Sequence, residues 1–599
     1  MFNAIIGTGI FFLPAIGAKY AGPASLLSWA IMSVVAIMIS LCFAELISMF
    51  PKSGGVYEYT KNAFGEFFGF LIGWIGWIIA NITIAMLVVG SFIYLFPSAP
   101  LLFHIGFSLF FILLFNFVSY RGISVSTKML VFFGVMTILT LIILLVPGFF
   151  TSDIGNFSPF FIFPFSSIFL STYFIAETFF GWETATYLSE EVKNPRKTLP
   201  KMMVISTISI AAIVMMLVFV SIGSLGWEKL SSADAPLSSM AEFLFGGNFA
   251  KIFALLVFIP LIGTAASWIV SSPRLLYAMS RDRVLPKSFQ GIHKKYKTPH
   301  KAIIFQTAVS SVVTIIAFGN YYTLLSLLLP LAVIMYSFVV LSVVKLRIDL
   351  PHKKRSFSAP FAKEIPVLIV LFNIFLLYTW LNEVSGALPI FMLGLFFILF
   401  GIPMYIAIKL QTDEKFTEKF FDRISFFWDK SFSLWYGKKE AKKVISRLRL
   451  NKNSVVLDFG CGSGRTTKVL AEKAKTVVAV DLSKKQLESA IKKTKKLNNI
   501  IFLKEKHLRF KKNTFDAVAA VGVLEYLPYP EKKLKTVFAC LKKGGTFSFL
   551  AFGKSMGMPA NDFLNEEKLR KIFKHLGIKA NIRKEREKLT DYWYIWGRK

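Results

Sequence analysis

Up to about residue 410 the chain is a succession of apolar runs of about twenty residues, separated by short polar or basic connections. Each run is long enough to cross a hydrocarbon core as a helix. Twelve spans are predicted, at 1–17, 25–50, 64–95, 101–118, 129–149, 168–188, 202–225, 252–277, 303–318, 324–344, 367–381 and 388–408. The first lacks the charged start and small-residue cleavage site of a signal peptide. Only six residues precede Gly7, so either the chain begins late or its first half-helix is stunted. After residue 410 charged residues dominate, no run can span, and from about 455 short apolar strands alternate with amphipathic helices. The pattern predicts a membrane part at 1–410, a tether and juxtamembrane segment at 411–440 and a soluble α/β part at 441–599.

Two apolar spans carry interruptions. Gly7-Thr8-Gly9, followed by Ile10 and then Pro14, breaks the first. Inside a membrane such a break is tolerated only where protein or a water-filled cavity satisfies the freed backbone. The amides opening the next half-helix then offer a positive dipole end to a carboxylate, and the carbonyls closing the preceding half can hold a cation. The competing reading is a packing notch, because small residues also let membrane helices approach closely. A milder interruption falls at Phe180-Gly181 in the sixth span. Interruptions at matching places in two five-span halves point to an inverted-repeat transporter with a midplane site. Glu177 and Glu183 lie in that sixth span, where a charge costs about 2.5–3.5 kcal/mol on insertion scales. Glu177 is a candidate for contacting a cationic solute group or taking up a coupling proton; the alternative is a neutral acid or a partner for an arginine. Glu183 lies nearer the cytoplasmic end, where a structural pair is at least an equal alternative to a functional role.

Charge orients the spans. Alternate connections hold Lys193, Arg196, Lys197 and Lys201, then Arg281, Arg283 and Lys287, then Lys345, Arg347, Lys353 and Arg355, whereas the opposite set holds little beyond Lys19 and Lys229. The excess of basic residues inside places both termini in the cytoplasm of a multi-pass cell-membrane protein. Only Cys42, Cys461 and Cys540 occur, far apart and without C-x-x-C or paired His spacing, which argues against a disulfide framework and against a zinc site.

Ile6-Gly7-Thr8-Gly9-Ile10-Phe11 resembles span 1 of the amino acid–polyamine–organocation (APC) superfamily. So do Ala44-Glu45-Leu46 leading to Phe50-Pro51-Lys52-Ser53-Gly54-Gly55-Val56-Tyr57, with Ala63-Phe64-Gly65 and Gly73-Trp74 behind them. Glu190-Glu191-Val192-Lys193-Asn194-Pro195-Arg196 and Arg274-Leu275-Leu276-Tyr277-Ala278-Met279-Ser280-Arg281-Asp282 continue the resemblance in order. It implies an all-α bundle of about twelve spans, an inverted five-span repeat plus two, with alternating access. It also implies an amino acid or related amine as solute, with Gly7, Thr8, Gly9 and Ile10 at its carboxylate and amine. Phe180 and Gly181 would line the broken part of span 6, and Trp268 would wall the site unless it only packs in the core or against lipid. Glu177 stands where relatives often carry a gating aromatic, and Thr137 where some carry a coupling lysine in span 5.

In the soluble part, apolar Val455-Val456-Leu457 leads into Asp458-Phe459-Gly460-Cys461-Gly462-Ser463-Gly464 and a helix, and the strand over 476–480 ends in Asp481. A glycine-rich turn lets a ligand lie against backbone, and an acid closing the second strand can hold ribose hydroxyls. The spacing is G-x-G-x-G. With Asp458 before it, this turn resembles motif I of class I S-adenosylmethionine (SAM) methyltransferases of the type 11 kind, and the resemblance runs on through Asn513–Val518, Val523–Leu527 and Leu541–Thr546. It implies a Rossmann-like fold with SAM as cofactor, cradled by Gly460, Cys461, Gly462 and Gly464. Asp458 would lie near the amino group, Asp481 at the ribose, Leu482 beside the adenine and Val521 near the sulfonium. Glu505 is a candidate for the adenine amine, one residue out of register. Glu525 and Tyr526 stand where acceptor and catalytic contacts are expected, or where a helix start packs.

Between the parts, Phe416, Phe420, Phe421, Phe427 and Trp428 interleave with Lys415, Lys419, Arg423 and Lys430. Such a segment can lie along an anionic leaflet or cap the following domain's pocket, and the two are compatible. Its Phe421-Asp422-Arg423-Ile424 opening is slightly similar to quinone and phospholipid methyltransferases. The net charge of +34 favours the lipid bilayer as partner over nucleic acid, since no RNA-binding module is visible. The expectation is a secondary transporter fused to a cytosolic SAM-dependent methyltransferase, its methyl acceptor open among lipid, quinone and small molecule. The alternative is a membrane-anchored methyltransferase whose membrane part no longer transports.

Overall fold

The computed structural model describes residues 5–97, 99–316, 320–435, 438–504, 508, 510–527, 529–555, 565–587 and 590–599. The chain divides into two compact units, Met1–Ile402 and Pro403–Lys599.

The first unit is all helical: α1 (Gly9–Ala21), α2 (Ser25–Met49), α3 (Val56–Phe64), α4 (Glu66–Leu95), α5 (Leu101–Arg121), α6 (Ile123–Thr151), α7 (Ser166–Ile175), α8 (Trp182–Tyr187), α9 (Pro195–Leu225), α10 (Trp227–Ser231), α11 (Pro236–Phe245), α12 (Gly247–Arg281), α13 (His300–Ile316), α14 (Tyr321–Asp349) and α15 (Glu364–Glu383). Helix α16 (Ala387–Thr412) follows. Among the described residues nine helices are long and apolar enough to cross a membrane, with α1 and α2 counted together because a short 3-10 turn joins them. The ninth expected span, α13, has 17 residues, and the sixth is cut between α7 and α8. Leu113 and Phe117 of α5, Ile138 and Ile142 of α6, and Phe396 and Phe400 of α16 are exposed, as lipid-facing positions must be. Helices α4 and α12 are mostly buried and form the interior.

The motifs that suggested the family tie helix ends together. Glu45, fully buried, accepts from Arg347 (2.7 and 2.8 Å), from Arg355 (3.2 Å) and from the Ala359 amide (2.8 Å). Lys61 bridges Glu58 and Asp282, both at 2.6 Å, Arg281 pairs with Glu190, and Arg274 pairs with Glu191. A buried carboxylate is stable only when its lone pairs are matched by such donors. These acids tie helix ends and loops together.

In the second unit α17 (Glu414–Trp435) and α18 (Lys438–Ser446) precede β1 (Val455–Phe459), α19 (Arg465–Ala471), β2 (Thr476–Asp481), α20 (Lys484–Lys493), β3 (Ile500–Lys504), β4 (Phe515–Val521), α21 (Pro530–Cys540), β5 (Leu541–Ser555), α22 (Glu566–His575), β6 (Ala580–Glu587) and β7 (Thr590–Arg598). The seven strands are ordered β3-β2-β1-β4-β5-β7-β6. Strands β1 to β5 run parallel, and β7 is antiparallel to both β5 and β6. The central strands read as apolar runs because both faces are covered. Leu457 faces a layer with Phe538 and Phe547, while its neighbour Val456 faces Ile445 and Leu470. Chain direction across the sheet reverses between β1 and β4, and in such sheets ligands enter the crevice at the carboxyl ends of those strands.

Candidate functional site

In the membrane unit, residues 6 to 8 are not helical, and α1 begins at Gly9. Facing them, the helical backbone stops after a 3-10 turn at Ala176–Phe179; Phe180 is extended, Gly181 takes φ +131°, and α8 starts afterwards. The two interruptions meet. The Thr8 hydroxyl donates to Glu177 Oε1 at 3.0 Å. A Cβ added to Gly9 would lie 2.3 Å from Thr178 Oγ1 and 2.6 Å from Glu177 Oε2, so only glycine permits this approach. On the other side the Thr264 hydroxyl of α12 donates to the Ile6 carbonyl at 2.7 Å, which satisfies one carbonyl that the break released. Phe12 stacks on Tyr321 (centroids 4.6 Å) and meets Tyr94 edge-on (4.9 Å), forming an aromatic wall one turn into α1.

The remaining candidates are placed as follows. Phe180 packs against the Tyr336 ring at 5.0 Å, and the Gly181 amide donates to the Tyr336 hydroxyl at 3.3 Å. That hydroxyl donates in turn to Glu183 at 2.6 Å, so Glu183 has a structural partner. Trp268 is buried inside the unit, away from lipid, and Ile10 is fully buried. The Thr137 hydroxyl donates to the Phe133 carbonyl of its own helix. Thr178, Tyr321 and Thr264 are parts of this site that sequence reasoning did not name. Only Thr178 had a signal, its place beside Glu177 ahead of the interruption.

In the second unit a cleft opens at the carboxyl ends of β1, β2 and β4. Gly460, Cys461, Gly462, Asp481, Leu482, Val521 and Tyr526 all line it. The turn after β1 is held by the Gly460 and Cys461 amides donating to the Val480 carbonyl at 2.8 and 3.0 Å. Gly464, at φ +83°, closes the turn where an added Cβ would be 2.9 Å from that of Ala490 on α20. It therefore packs helix on helix and does not reach the cleft. Asp481 accepts from the Gly462 amide (2.8 Å) and the Ser483 amide (2.9 Å), which fixes its carboxylate at the cleft wall. Burial raises its pKa, while these two amides oppose the shift.

Two further expected residues, besides Gly464, sit elsewhere. Asp458 is buried behind the turn and accepts from the Thr467 hydroxyl at 2.6 Å; burial pushes its carboxyl to about 7, with Thr467 opposing. Glu525 does not line the cleft and is buried, with no side-chain partner among the described residues; burial pushes it to about 8, which the Glu525 and Phe552 backbone amides oppose. Its neighbour Tyr526 is the one that faces the cleft. Glu505 lies outside the described residues.

The structure adds residues that the sequence reading missed. Gln486, buried, lines the cleft with its Oε1 unpartnered. The Ser483 hydroxyl accepts from the Gln486 amide at 3.2 Å, so the Ser-x-x-Gln spacing after Asp481 was a readable helix-start signal. Helix α17 contributes Glu414, Thr417, Glu418 and Phe421. Asp422 accepts from the Ser483 hydroxyl at 2.6 Å, Glu418 pairs with Lys504 at 2.7 Å, Glu414 with Lys533 at 3.2 Å, and Phe421 meets Tyr526 edge-on. Helix α17 thus covers the cleft, the second of the two compatible readings of the juxtamembrane segment. Its start is pinned to the end of α16: Asp413 accepts from the Lys415 and Phe416 amides, and the Thr417 hydroxyl donates to the Leu410 carbonyl at 2.9 Å.

The donor set fits SAM. Open space faces Gly462 where a side chain would stand, Asp481 offers lone pairs to hydroxyls, Gln486 offers an unused buried acceptor, and Phe459, Leu482 and Val521 give apolar walls. Among the described residues no cluster of three or more metal-ligating side chains occurs.

Residues 1–417 match the amino acid permease family and residues 457–549 the methyltransferase domain family. The methylthioribose transporter of Bacillus subtilis is 28% identical over 410 residues, covering 64% of this chain and 87% of that one. The serine/threonine exchanger of the same organism is 27% identical, covering 68% and 94%. A SAM-dependent methyltransferase structure from Aquifex aeolicus is similar at 22% identity and a TM-score of 0.24, covering 26% of this chain and 89% of that one.

Proposed function

From the premise that this chain belongs to the amino acid permease family and carries a SAM-dependent methyltransferase domain behind it, we propose that it moves a small amino acid or related amine by alternating access around the two interrupted helices. In the same reading it methylates a membrane-resident acceptor beneath α17. The observation that carries the transport half is the meeting of the breaks, Thr8 on Glu177. Two half-helix ends facing each other inside the bundle provide fixed dipoles for a charged guest and two segments able to rock apart. Twelve spans, a transport domain ending near residue 410 and cytoplasmic termini complete the reading, supported by the basic connections.

For the methyltransferase half, SAM when bound supplies an activated methyl group on a sulfonium. The chain's own part is to orient: Asp481 and Gln486 would hold the cofactor, Gly460 to Gly462 leave room for it, and Tyr526 with Phe421 would shape the acceptor's approach. Transfer needs chiefly an in-line acceptor, so positioning is the dominant contribution. A membrane-resident acceptor is supported by α17, which continues from α16 and leaves Phe427 exposed. The reading is tested by counterflow of labelled amino acids and amines in proteoliposomes of the full chain, together with methyl transfer from labelled SAM to a lipid extract. Solute exchange and labelled lipid are expected; absence of exchange removes the transport half, and label only on water-soluble acceptors removes the lipid assignment.

A further inference from the structure

Glu177 is 4% exposed, and one of its oxygens is committed to Thr8. A Cβ on Gly7 would lie 3.3 Å from Oε1 and one on Gly9 2.6 Å from Oε2, so the carboxylate rests against both glycines at the start of α1. That is where the freed amides and the dipole of α1 would otherwise meet a solute's carboxylate. The chain supplies this carboxylate itself. Among the described residues nothing beyond Thr8 and the Gly9 amide hydrogen-bonds this carboxylate; Thr178 Oγ1 has no hydrogen-bond partner, and the Tyr321 hydroxyl has only Thr8 beside it, all buried. Among the described residues no Lys, Arg or His forms an ion pair with Glu177. A carboxylate held inside a membrane bundle without a cation is the arrangement that a bound cation completes.

We propose that the solute is a compact organic amine lacking a carboxylate next to its ammonium group, which docks on Glu177 Oε2 with Thr178 and Tyr321 accepting the remaining ammonium protons. An amino acid would bring a second carboxylate to a place already filled by one, and like charges a few ångströms apart in a low dielectric repel strongly. The aromatic wall of Phe12 and Tyr321 suits the amine's apolar body. This inference rests on the transport reading for its biological sense but not for its test.

The test uses a matched pair, leucine and isoamylamine, which share a side chain and differ in the carboxylate. Equilibrium binding of each to the purified full chain in detergent should favour isoamylamine at least tenfold, and Glu177→Gln should lose at least tenfold of that affinity. The wild-type comparison stands by itself should the variant fold poorly. Leucine bound as well as or better than the amine, no amine binding at all, or amine affinity unchanged in a folded Glu177→Gln protein would overturn the inference. Glu177-dependent amine binding without counterflow in proteoliposomes would uphold this site while removing transport.

Discussion

Both halves of the chain build a site from glycines at the start of a helix, and the two treat an acid at that site differently. In the soluble cleft Asp481 is tied to the Gly462 and Ser483 amides yet stays at the wall of an open crevice. In the membrane unit Glu177 is pressed onto Gly7 and Gly9 and shut away. The difference follows from the surrounding medium. Water can solvate a crevice's spare lone pairs until a ligand replaces it, whereas inside a bundle in lipid each charge must be matched by protein or guest. One site is preformed and open, the other closed over a charge that waits for a partner.

Four substitutions sharpen or break this contrast. The largest effect is expected from Gly9→Ala, whose methyl would collide with the Thr178 backbone at 2.4 Å. Solute counterflow should fall more than about 100-fold while SAM affinity by titration calorimetry stays unchanged. Next, Asp481→Ala removes a fixed acceptor and should weaken SAM about 100-fold, a loss on the order of 3 kcal/mol, leaving amine binding intact. If either change crosses over to the other activity, the two sites are not independent.

A smaller, more discriminating effect concerns Gln486, whose buried acceptor has no partner. Gln486→Met should weaken SAM about fivefold while leaving unliganded thermal stability equal or higher, because an unmet polar group is removed. A loss of stability would mean that the amide has a structural role. The smallest effect is a pH dependence. Glu525 has a folded-state pKa of about 8, above its ordinary value, so the folded state holds its proton longer than the unfolded state does. Stability of the second unit should therefore fall as pH rises from about 4.5 to about 8, by on the order of 5 kcal/mol at most. Glu525→Gln should reduce that slope in melts of the full chain in detergent, leaving the part due to Asp458; an unchanged slope would show that Glu525 is not buried in solution.

Much of the architecture could be read along the chain. Runs of about twenty apolar residues set the membrane helices, and short apolar runs between turns set the parallel strands, because burial on both faces demands continuous hydrophobicity. The G-x-G-x-G turn and Asp481 placed the cofactor cleft, since local backbone geometry and one strand end suffice to build it. Residues whose role depends on what folds onto them were less legible. Asp458 and Gly464 belong to the same motif, yet one is buried behind the turn and the other packs on Ala490. Glu525 and Tyr526 are adjacent, and a short 3-10 turn sends one inward and one to the cleft.

By itself the sequence determined where the helices break and which acids lie inside an apolar span, because backbone freedom and charge are properties of single residues. Only the tertiary structure decided that Glu177 lies on the Gly7–Gly9 break, 169 positions away, and that α17 roofs the cofactor cleft. A carboxylate's meaning depends on its partners, and partners distant in sequence are chosen by packing.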